Sequence, residues 1–356
     1  MAYRSEDEWF MAAALKLARR GIGKTSPNPP VGCVLAKDGR LIAGDYHHKT
    51  GLLHAEALVL GKVGDSAPGG TLYVTLEPCC FYGRTPACTK AIIEAGISRV
   101  VVGAKDPNPK VNGRGIKILL DAGIEVISGI MKSECDRLIR HYEKFITTGM
   151  PYIILKYAQS LDGRIATKSG SSKWISSPES LKFAHGLRAQ CDDILVGDAT
   201  ANKDNPQLTV RHVNGKNPVR IILTSSGKLK KTLHVFHDGQ ARTIVATGAD
   251  LKSPSGAEVL HLPLRNGLVD LKSLIKKLGQ MEITSLLVEG GSATLTGFLR
   301  QQIADKIIIV VAPMILGEGI SALGELNIRT IARAIRFKNL EMSHLGPDCV
   351  ISGELP

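Results

Sequence analysis

Apolar positions along this chain switch period repeatedly, and the switches mark an alternation of helices and strands. Near the N-terminus Ser5-Glu6-Asp7-Glu8 offers a capping-box start, after which Phe10, Ala13, Ala14 and Leu17 recur on one helical face until Gly21 stops the run. Short apolar runs follow at Val31 to Leu35, Thr71 to Leu76, Val100 to Gly103 and Glu125 to Ile127, and these read as strands. The segments around His54 and Cys88 read as helices between them, with Pro78 suited to open the second and Gly96 to close it. Such alternation covers both faces of a sheet and predicts an α/β sandwich.

The pattern restarts after Thr147-Thr148-Gly149-Met150-Pro151, a short linker that sets the expected domains at residues 1–148 and 149–356. Strands at Tyr152 to Lys156, Asp193 to Val196, Val219 to Leu223, Thr243 to Thr247, Ser285 to Glu289 and Lys306 to Val311 predict a second α/β domain of about 200 residues. Val288-Glu289-Gly290-Gly291-Ser292 ends a strand and enters a helix, where glycines let a phosphate reach backbone N–H groups. G-x-G-x-x-G is absent, so a dinucleotide site does not follow from Gly-Gly itself. Lys156 at a strand end, and Asp204-Asn205-Pro206 with Arg211, can line a cleft; spacing says only that this is a ligand-binding domain.

Composition narrows the possibilities. At 356 residues and 44% hydrophobic, the chain has material for two cores. No apolar run approaches the ~18 residues of a membrane span, and the N-terminus shows no basic-then-apolar signal, which predicts a soluble cytoplasmic protein. Seven scattered cysteines suit a reducing compartment and a metal site better than a disulfide framework. The formal charge of +12 is spread evenly, 20 Lys and Arg against 15 Asp and Glu before residue 149 and 25 against 18 after it. With 4% aromatic residues and no dense basic run, this disfavours nucleic-acid binding and suits small anionic ligands such as phosphate esters.

One constellation carries chemistry. His54-Ala55-Glu56, then Glu77-Pro78-Cys79, then Cys88 supply an imidazole, two thiols and a spare carboxylate. Three such ligands hold Zn²⁺ with one position left for a water, and an unligated Glu moves protons in zinc deaminases. The usual second motif is P-C-x-x-C, whereas here eight residues, CFYGRTPA, separate the thiols. His54 and Glu56 stand roughly 200° apart on an ideal helix, so both reach one metal only if the site overhangs the helix's first turn.

The first half resembles the deaminase half of the bifunctional riboflavin-biosynthesis deaminase/reductase family, through Pro27-Asn28-Pro29, His47, His54-Ala55-Glu56, Glu77-Pro78-Cys79, Gly83-Arg84-Thr85-Pro86 and Cys88. The second half resembles that family's reductase half through Leu155-Lys156, Ser160 to Arg164, Trp174-Ile175-Ser176, His185 with Leu187-Arg188, Thr200, Asp204-Asn205-Pro206, Leu208-Thr209, Arg211 and Glu289-Gly290-Gly291. The resemblance implies a cytidine-deaminase-like αβα sandwich followed by a dihydrofolate-reductase-like α/β domain. It also implies zinc-dependent deamination of a phosphorylated diaminopyrimidinone and NADPH-dependent reduction of its ribosyl group. Zinc would sit on His54, Cys79 and Cys88, with Glu56 transferring protons and Asn28, His47 and Arg84 holding substrate. In the reductase half, Ala158, Trp174, Thr200, Asp204, Ser225 and Gly291 would hold NADPH, and Ser172, Arg188, Leu208, Arg211 and Glu289 the substrate, with Lys156 at the sugar.

Several positions depart from the family pattern. Cys80-Phe81-Tyr82 replaces a His or Ser-His, Ser180-Leu181 an Ala-Arg pair, and Thr224 an Asp. Cys80 also adds a thiol beside the metal ligands, a competitor at the metal that a three-ligand set with one position for water disfavours. The altered loop makes a chain with a single working domain the first alternative, and a nucleic-acid-editing deaminase the second. A homo-oligomer acting on a small phosphorylated pyrimidine, without nucleic acid or membrane, is the expectation for partners.

Overall fold

The computed structural model describes residues 5–83, 86–173 and 175–356, and the chain divides into two units between Gly149 and Met150. Arg84 and Trp174 lie outside the described residues.

The first unit is built on a sheet of five strands among the described residues, in the order β2-β1-β3-β4-β5, where β1 is Gly32–Lys37, β2 Arg40–Tyr46, β3 Thr71–Leu76, β4 Arg99–Ala104 and β5 Glu125–Ser128. β1 runs antiparallel to β2 and β3, while β3, β4 and β5 are parallel. Side chains of a strand alternate between faces, so the sheet feeds two apolar layers. One layer joins Val34, Tyr73 and Val101 to Phe10, Met11, Ala14 and Leu15 of α1, Glu6–Ala18, and to Cys135 and Ile139 of α5, Lys132–Thr148. The other joins Leu35, Leu72, Val74 and Val100 to α2, Ala55–Val63, α3, Cys88–Glu94, and α4, Arg114–Asp121. The αβα sandwich follows.

Differences from the sequence reading have local causes. β2 escaped notice because its first residues are exposed on an edge strand and show no apolar alternation. Pro78 does not open a helix; α3 starts at Cys88, and the described residues between Pro78 and Cys88 are irregular. Ser5 caps α1 by accepting from the Glu8 N–H at 3.3 Å, and the buried face uses Met11 and Leu15 where Ala13 and Leu17 are only half-buried.

In the second unit, nine strands among the described residues form one sheet in the order β11-β10-β9-β8-β14-β6-β15-β18-β17. These are β6 (Tyr152–Ser160), β8 (Asp193–Gly197), β9 (Val219–Thr224), β10 (Thr243–Thr247), β11 (Glu258–His261), β14 (Ser285–Val288), β15 (Lys306–Ala312), β17 (Lys338–Leu345) and β18 (Asp348–Glu354). The strands from β11 to β15 are parallel, and β18 and β17 close the sheet antiparallel. Two short pairs stand apart: β12 (Leu264–Arg265) with β13 (Leu268–Val269), and β7 (Arg164–Thr167) with β16 (Gly319–Ser321). Helices α6 (Pro178–Gln190), α7 (Asp198–Asp204), α8 (Leu271–Gln280) and α9 (Ser292–Arg300) connect the strands. The two faces again feed two apolar clusters, one containing Ile153, Leu155 and Tyr157 and the other Tyr152 and Ile154 with half-buried Ala158. The reading gave no strand at β7, β11, β12, β13 or β16, which are two to four residues long, nor at β17 and β18; β17 is exposed along almost its whole length and carries no burial pattern. No helix among the described residues is long and apolar enough to cross a membrane.

α1 approaches β1 at a glycine. A Cβ on Gly32 would stand 2.0 Å from the Ala14 carbonyl oxygen and 2.7 Å from the Ala18 nitrogen, both backbone atoms that cannot swing away. Gly32→Ala is therefore expected to destabilise the first unit by about 1–3 kcal/mol through overpacking, read as a lower midpoint in denaturant unfolding of the full chain.

Candidate active sites

The parallel strand β3 ends at Leu76, and the chain beyond it supplies Cys79, in the position where open α/β sheets bind ligands. His54 is the N-cap of α2, with extended dihedrals (φ −72°, ψ 163°), so its ring leaves the helix before the first turn. This resolves the spacing problem: only Glu56 is helical, and the two side chains need not share a helical face. Cys88 opens α3, and its backbone N–H donates to Cys79 Sγ at 3.3 Å. Both sulfurs thus gather at the positive end of a helix dipole.

The donor atoms of His54, Cys79 and Cys88 all lie within 4.8 Å of one another. His54 Nδ1 is 3.3 Å from Cys88 Sγ and 3.6 Å from Cys79 Sγ. One imidazole nitrogen and two sulfurs converging on one point form a donor set that fits Zn²⁺, with a fourth position left over. Hydrogen bonding with Cys88, helped by His54, holds the Cys79 thiol well below the ordinary range, while Cys88, whose S–H donates to the Cys79 sulfur, is pushed well above it, with burial adding to the rise. The His54 imidazole is raised, first by its hydrogen bond to Cys79. Glu56 is 3% exposed, and burial raises its carboxyl above the ordinary range.

Asn28 and His47 join this cluster. The His47 and His54 rings meet edge to face with centroids 5.2 Å apart. His47 Nδ1–H donates to the Leu53 carbonyl at 3.1 Å, so Nε2 is the acceptor for Asn28 Nδ2, 3.2 Å away. Burial lowers the His47 pKa, which favours the neutral ring able to accept from Asn28 at Nε2. Cys80 turns elsewhere, its thiol donating to the Lys110 carbonyl at 3.6 Å, and it is not in the ligand cluster.

In the second unit a charge cluster forms where β14 ends at Val288, beside the middle of β6; because β6 runs on to Ser160, Lys156 lies within the strand and not at its end as the apolar run suggested. Arg188 of α6 donates through Nε and Nη2 to both oxygens of Glu289, at 3.0 and 2.6 Å, and through Nη1 to the Thr209 carbonyl at 3.2 Å. Three of its donors are spent within the protein. Arg211 donates to Thr209 Oγ1 at 2.8 Å and, through its backbone N–H, to His185 Nδ1 at 3.0 Å. Leu208, buried with φ 55°, is one residue from Thr209. Burial lowers the Lys156 pKa, with Glu289 opposing and Arg188 assisting. Burial alone would raise Glu289, but Arg188 and Lys156 together hold its carboxyl below the ordinary range. Burial and the neighbouring arginines push His185 down to about 4, so it is neutral.

Of the other reductase-half residues, Ala158 lies two along β6 from Lys156 and therefore on the same face. Gly291 caps α9, and a Cβ there would stand 2.9 Å from Thr200 Oγ1, which ties those two positions together. Ser225 Oγ accepts from the Val269 N–H at 3.0 Å. Thr224, where the family commonly has Asp, donates to Asp198 at 2.6 Å. Among the described residues, no hydrogen bond or ion pair ties half-buried Ser172 or exposed Asp204 to the Arg188–Glu289 pair.

The motif assigns Glu77 no task, although the structure buries it at 2% exposure, two residues before Cys79. The signal was present: an acid ending an apolar strand run has to find donors.

The fold and the two sites define a two-domain enzyme, a zinc-type deaminase sandwich followed by a reductase domain. Residues 4–104 match the cytidine and deoxycytidylate deaminase zinc-binding region, and residues 151–351 match the RibD C-terminal domain. The chain is 46% identical to the riboflavin biosynthesis protein RibD of Aquifex aeolicus over 98% of each chain, and 40% identical to that of Escherichia coli over 96% of this chain and 98% of the other. Among solved structures, RibD of Acinetobacter baumannii superposes with a TM-score of 0.88 at 36% identity, and a deaminase/reductase of Thermotoga maritima with 0.86 at 37%, each covering 99% of both chains. The chain belongs to the RibD family of riboflavin biosynthesis proteins: a bifunctional deaminase and NADP-dependent reductase that uses Zn²⁺ and NADPH.

Because all three donors converge, purified protein is expected to carry about one zinc per chain, and Cys88→Ser to lose most of it together with ammonia release. Metal analysis beside a deaminase assay checks both; zinc-free protein with full deaminase activity refutes the site.

Proposed function

We propose that residues 1–148 catalyse hydrolytic deamination of 2,5-diamino-6-ribosylamino-4(3H)-pyrimidinone 5′-phosphate, and that residues 149–356 then reduce the ribosyl to the ribityl side chain. The observation that carries this reading is the convergence of His54 Nδ1 with the two sulfurs beside buried Glu56. The Thermotoga maritima relative, described as a diaminohydroxyphosphoribosylaminopyrimidine deaminase and 5-amino-6-(5-phosphoribosylamino)uracil reductase, supports the choice of substrate.

In the first domain His54, Cys79 and Cys88 would hold Zn²⁺, which when bound supplies a water acidified towards a pKa of ~7. Glu56, uncoordinated and raised by burial, accepts a proton from the attacking water and passes it to the departing ammonia. Asn28 presents its oxygen to the pyrimidine with its amide fixed by His47. Arg84 is assigned to the ribose phosphate by family resemblance.

In the second domain NADPH, when bound along Ala158, Thr200, Asp204, Ser225 and Gly291 with Trp174, supplies a hydride for the anomeric carbon. Lys156 delivers a proton to the sugar oxygen as the ring opens, a task its depressed pKa assists. Glu289, oriented by Arg188, accepts from ribose hydroxyls, and Arg211, Leu208 and Ser172 border the substrate. Self-association is part of the reading, supported by exposed Leu340 and Met342 on the edge strand β17. So are a cytoplasmic setting, supported by seven free cysteines, and the absence of a nucleic-acid partner, supported by the even charge distribution.

Glu56→Gln is expected to retain zinc while deamination falls roughly 10²–10⁴-fold, the share of a lost proton-transfer group. Loss of metal from a folded variant makes Glu56 a ligand and overturns its role. In the full chain, Glu56→Ala is expected to reduce the deaminated substrate at near wild-type rate and to consume no NADPH with the undeaminated one. Following ammonia and NADPH absorbance separately tests the order of steps; equal NADPH consumption with both substrates refutes it.

A further inference from the structure

Glu77 stands two residues before Cys79 and takes part in none of the steps above. We propose that Glu77 is a positioning residue for the zinc ligand Cys79, its carboxylate clamping the 77–79 segment onto the first turn of α4. This rests on Cys79 being a ligand and goes beyond that reading by naming what holds the ligand in place.

The clamp is made from main-chain donors. Both Glu77 oxygens accept from the Gly113 N–H at 2.9 Å, Oε1 also accepts from Gly115 at 3.0 Å and Ile116 at 3.2 Å, and Oε2 accepts from Asp106 at 3.2 Å. A buried carboxylate needs such donors, and the start of a helix provides them together with the positive end of its dipole. α4 in turn lacks a cap of its own, because its N-cap is Gly113, at φ 92° and without a side chain. A residue from another part of the fold therefore caps it.

The contact has a steric half as well. A Cβ on Gly115 would stand 2.2 Å from the Pro78 carbonyl oxygen and 3.2 Å from Glu77 Oε1. Only glycine lets α4 come this close to the peptide that leads into Cys79. On the other side Cys79 is held by α3: its carbonyl accepts from the Thr89 N–H at 3.1 Å and its sulfur from the Cys88 N–H at 3.3 Å. The segment is thus held from two helices, with the Glu77 N–H also donating to the Ala104 carbonyl at 2.9 Å, and losing the α4 side leaves the sulfur located by α3 and by His54. A purely structural role for Glu77 would lower stability and leave the metal's surroundings unchanged.

The test uses the full-length chain. Glu77→Gln keeps the shape and removes the charge; zinc retention is measured by chelator competition, and the site is read separately from the visible spectrum of the Co²⁺-substituted protein. The expected result is about 10- to 100-fold weaker zinc retention and an altered thiolate–cobalt absorption, the scale found when groups supporting metal ligands are removed. Deaminase kcat falls while KM and reductase activity on deaminated substrate hold. Gly115→Ala, which retains the carboxylate and forces the helix away from Pro78, is expected to weaken zinc in the same way, and it decides the matter if Glu77→Gln does not accumulate in folded form. A lowered melting temperature with wild-type zinc retention and cobalt spectrum overturns the proposal. Cys79→Ser, run in parallel, separates the two levels: if it keeps zinc, the ligand assignment itself is wrong.

Discussion

The first domain is organised around a negative charge on sulfur. The Cys79 thiolate is tolerated in a half-buried place because the Cys88 N–H, the start of α3 and the His54 imidazole all face it. None of these groups is near Cys79 in the chain except through folding, and each comes from the beginning of a helix: His54 caps α2, and Cys88 opens α3. The parallel strand β3 delivers the sulfur to them. A metal site made in this way inherits its geometry from helix starts, whose unpaired N–H groups are the natural place to stabilise anions.

The reductase domain uses the same economy with a different charge. Glu289 leaves the end of β14 and is gripped by Arg188 from α6, which also reaches the Thr209 carbonyl, so one guanidinium sets a strand end, a helix and the loop carrying Leu208 and Arg211. Removing Glu289 would leave the buried Arg188 charge without its carboxylate, and removing Arg188 would leave Glu289 with Lys156 as its remaining cationic neighbour, each far more costly than the pair's own contribution. Lys156 sits in the field of this pair, and the balance between burial and Glu289 is what brings its pKa below that of a solvated lysine.

The departures from the family pattern fall around these centres and leave them intact. Cys80 faces the Lys110 carbonyl, with Lys110 Nζ 5.9 Å over the Phe81 ring, so the altered loop packs on the 105–113 turn. Thr224 spends its hydroxyl on Asp198 and accepts from the Gly227 N–H at 3.1 Å, a local arrangement that serves the turn after β9.

Periodicity determined the two α/β halves and most central strands, and residue type in the H-x-E and E-P-C motifs with a following Cys determined which residues are able to bind zinc. The sequence reading missed the edge strands β2 and β17, which carry little or no burial pattern, along with β18 and the short strands β7, β11, β12, β13 and β16, and it misplaced the start of α3, because proline's fitness for a first turn is a permission rather than an instruction. The tertiary structure decided which atoms meet. That Nδ1 of His54 faces the sulfurs, that Arg188 is committed to Glu289 before any ligand arrives, and that Glu77 caps a helix beginning 37 residues further on are consequences of long-range packing. A buried carboxylate must find donors, but the sequence does not say where; only the folded backbone brings α4's open N–H groups to Glu77.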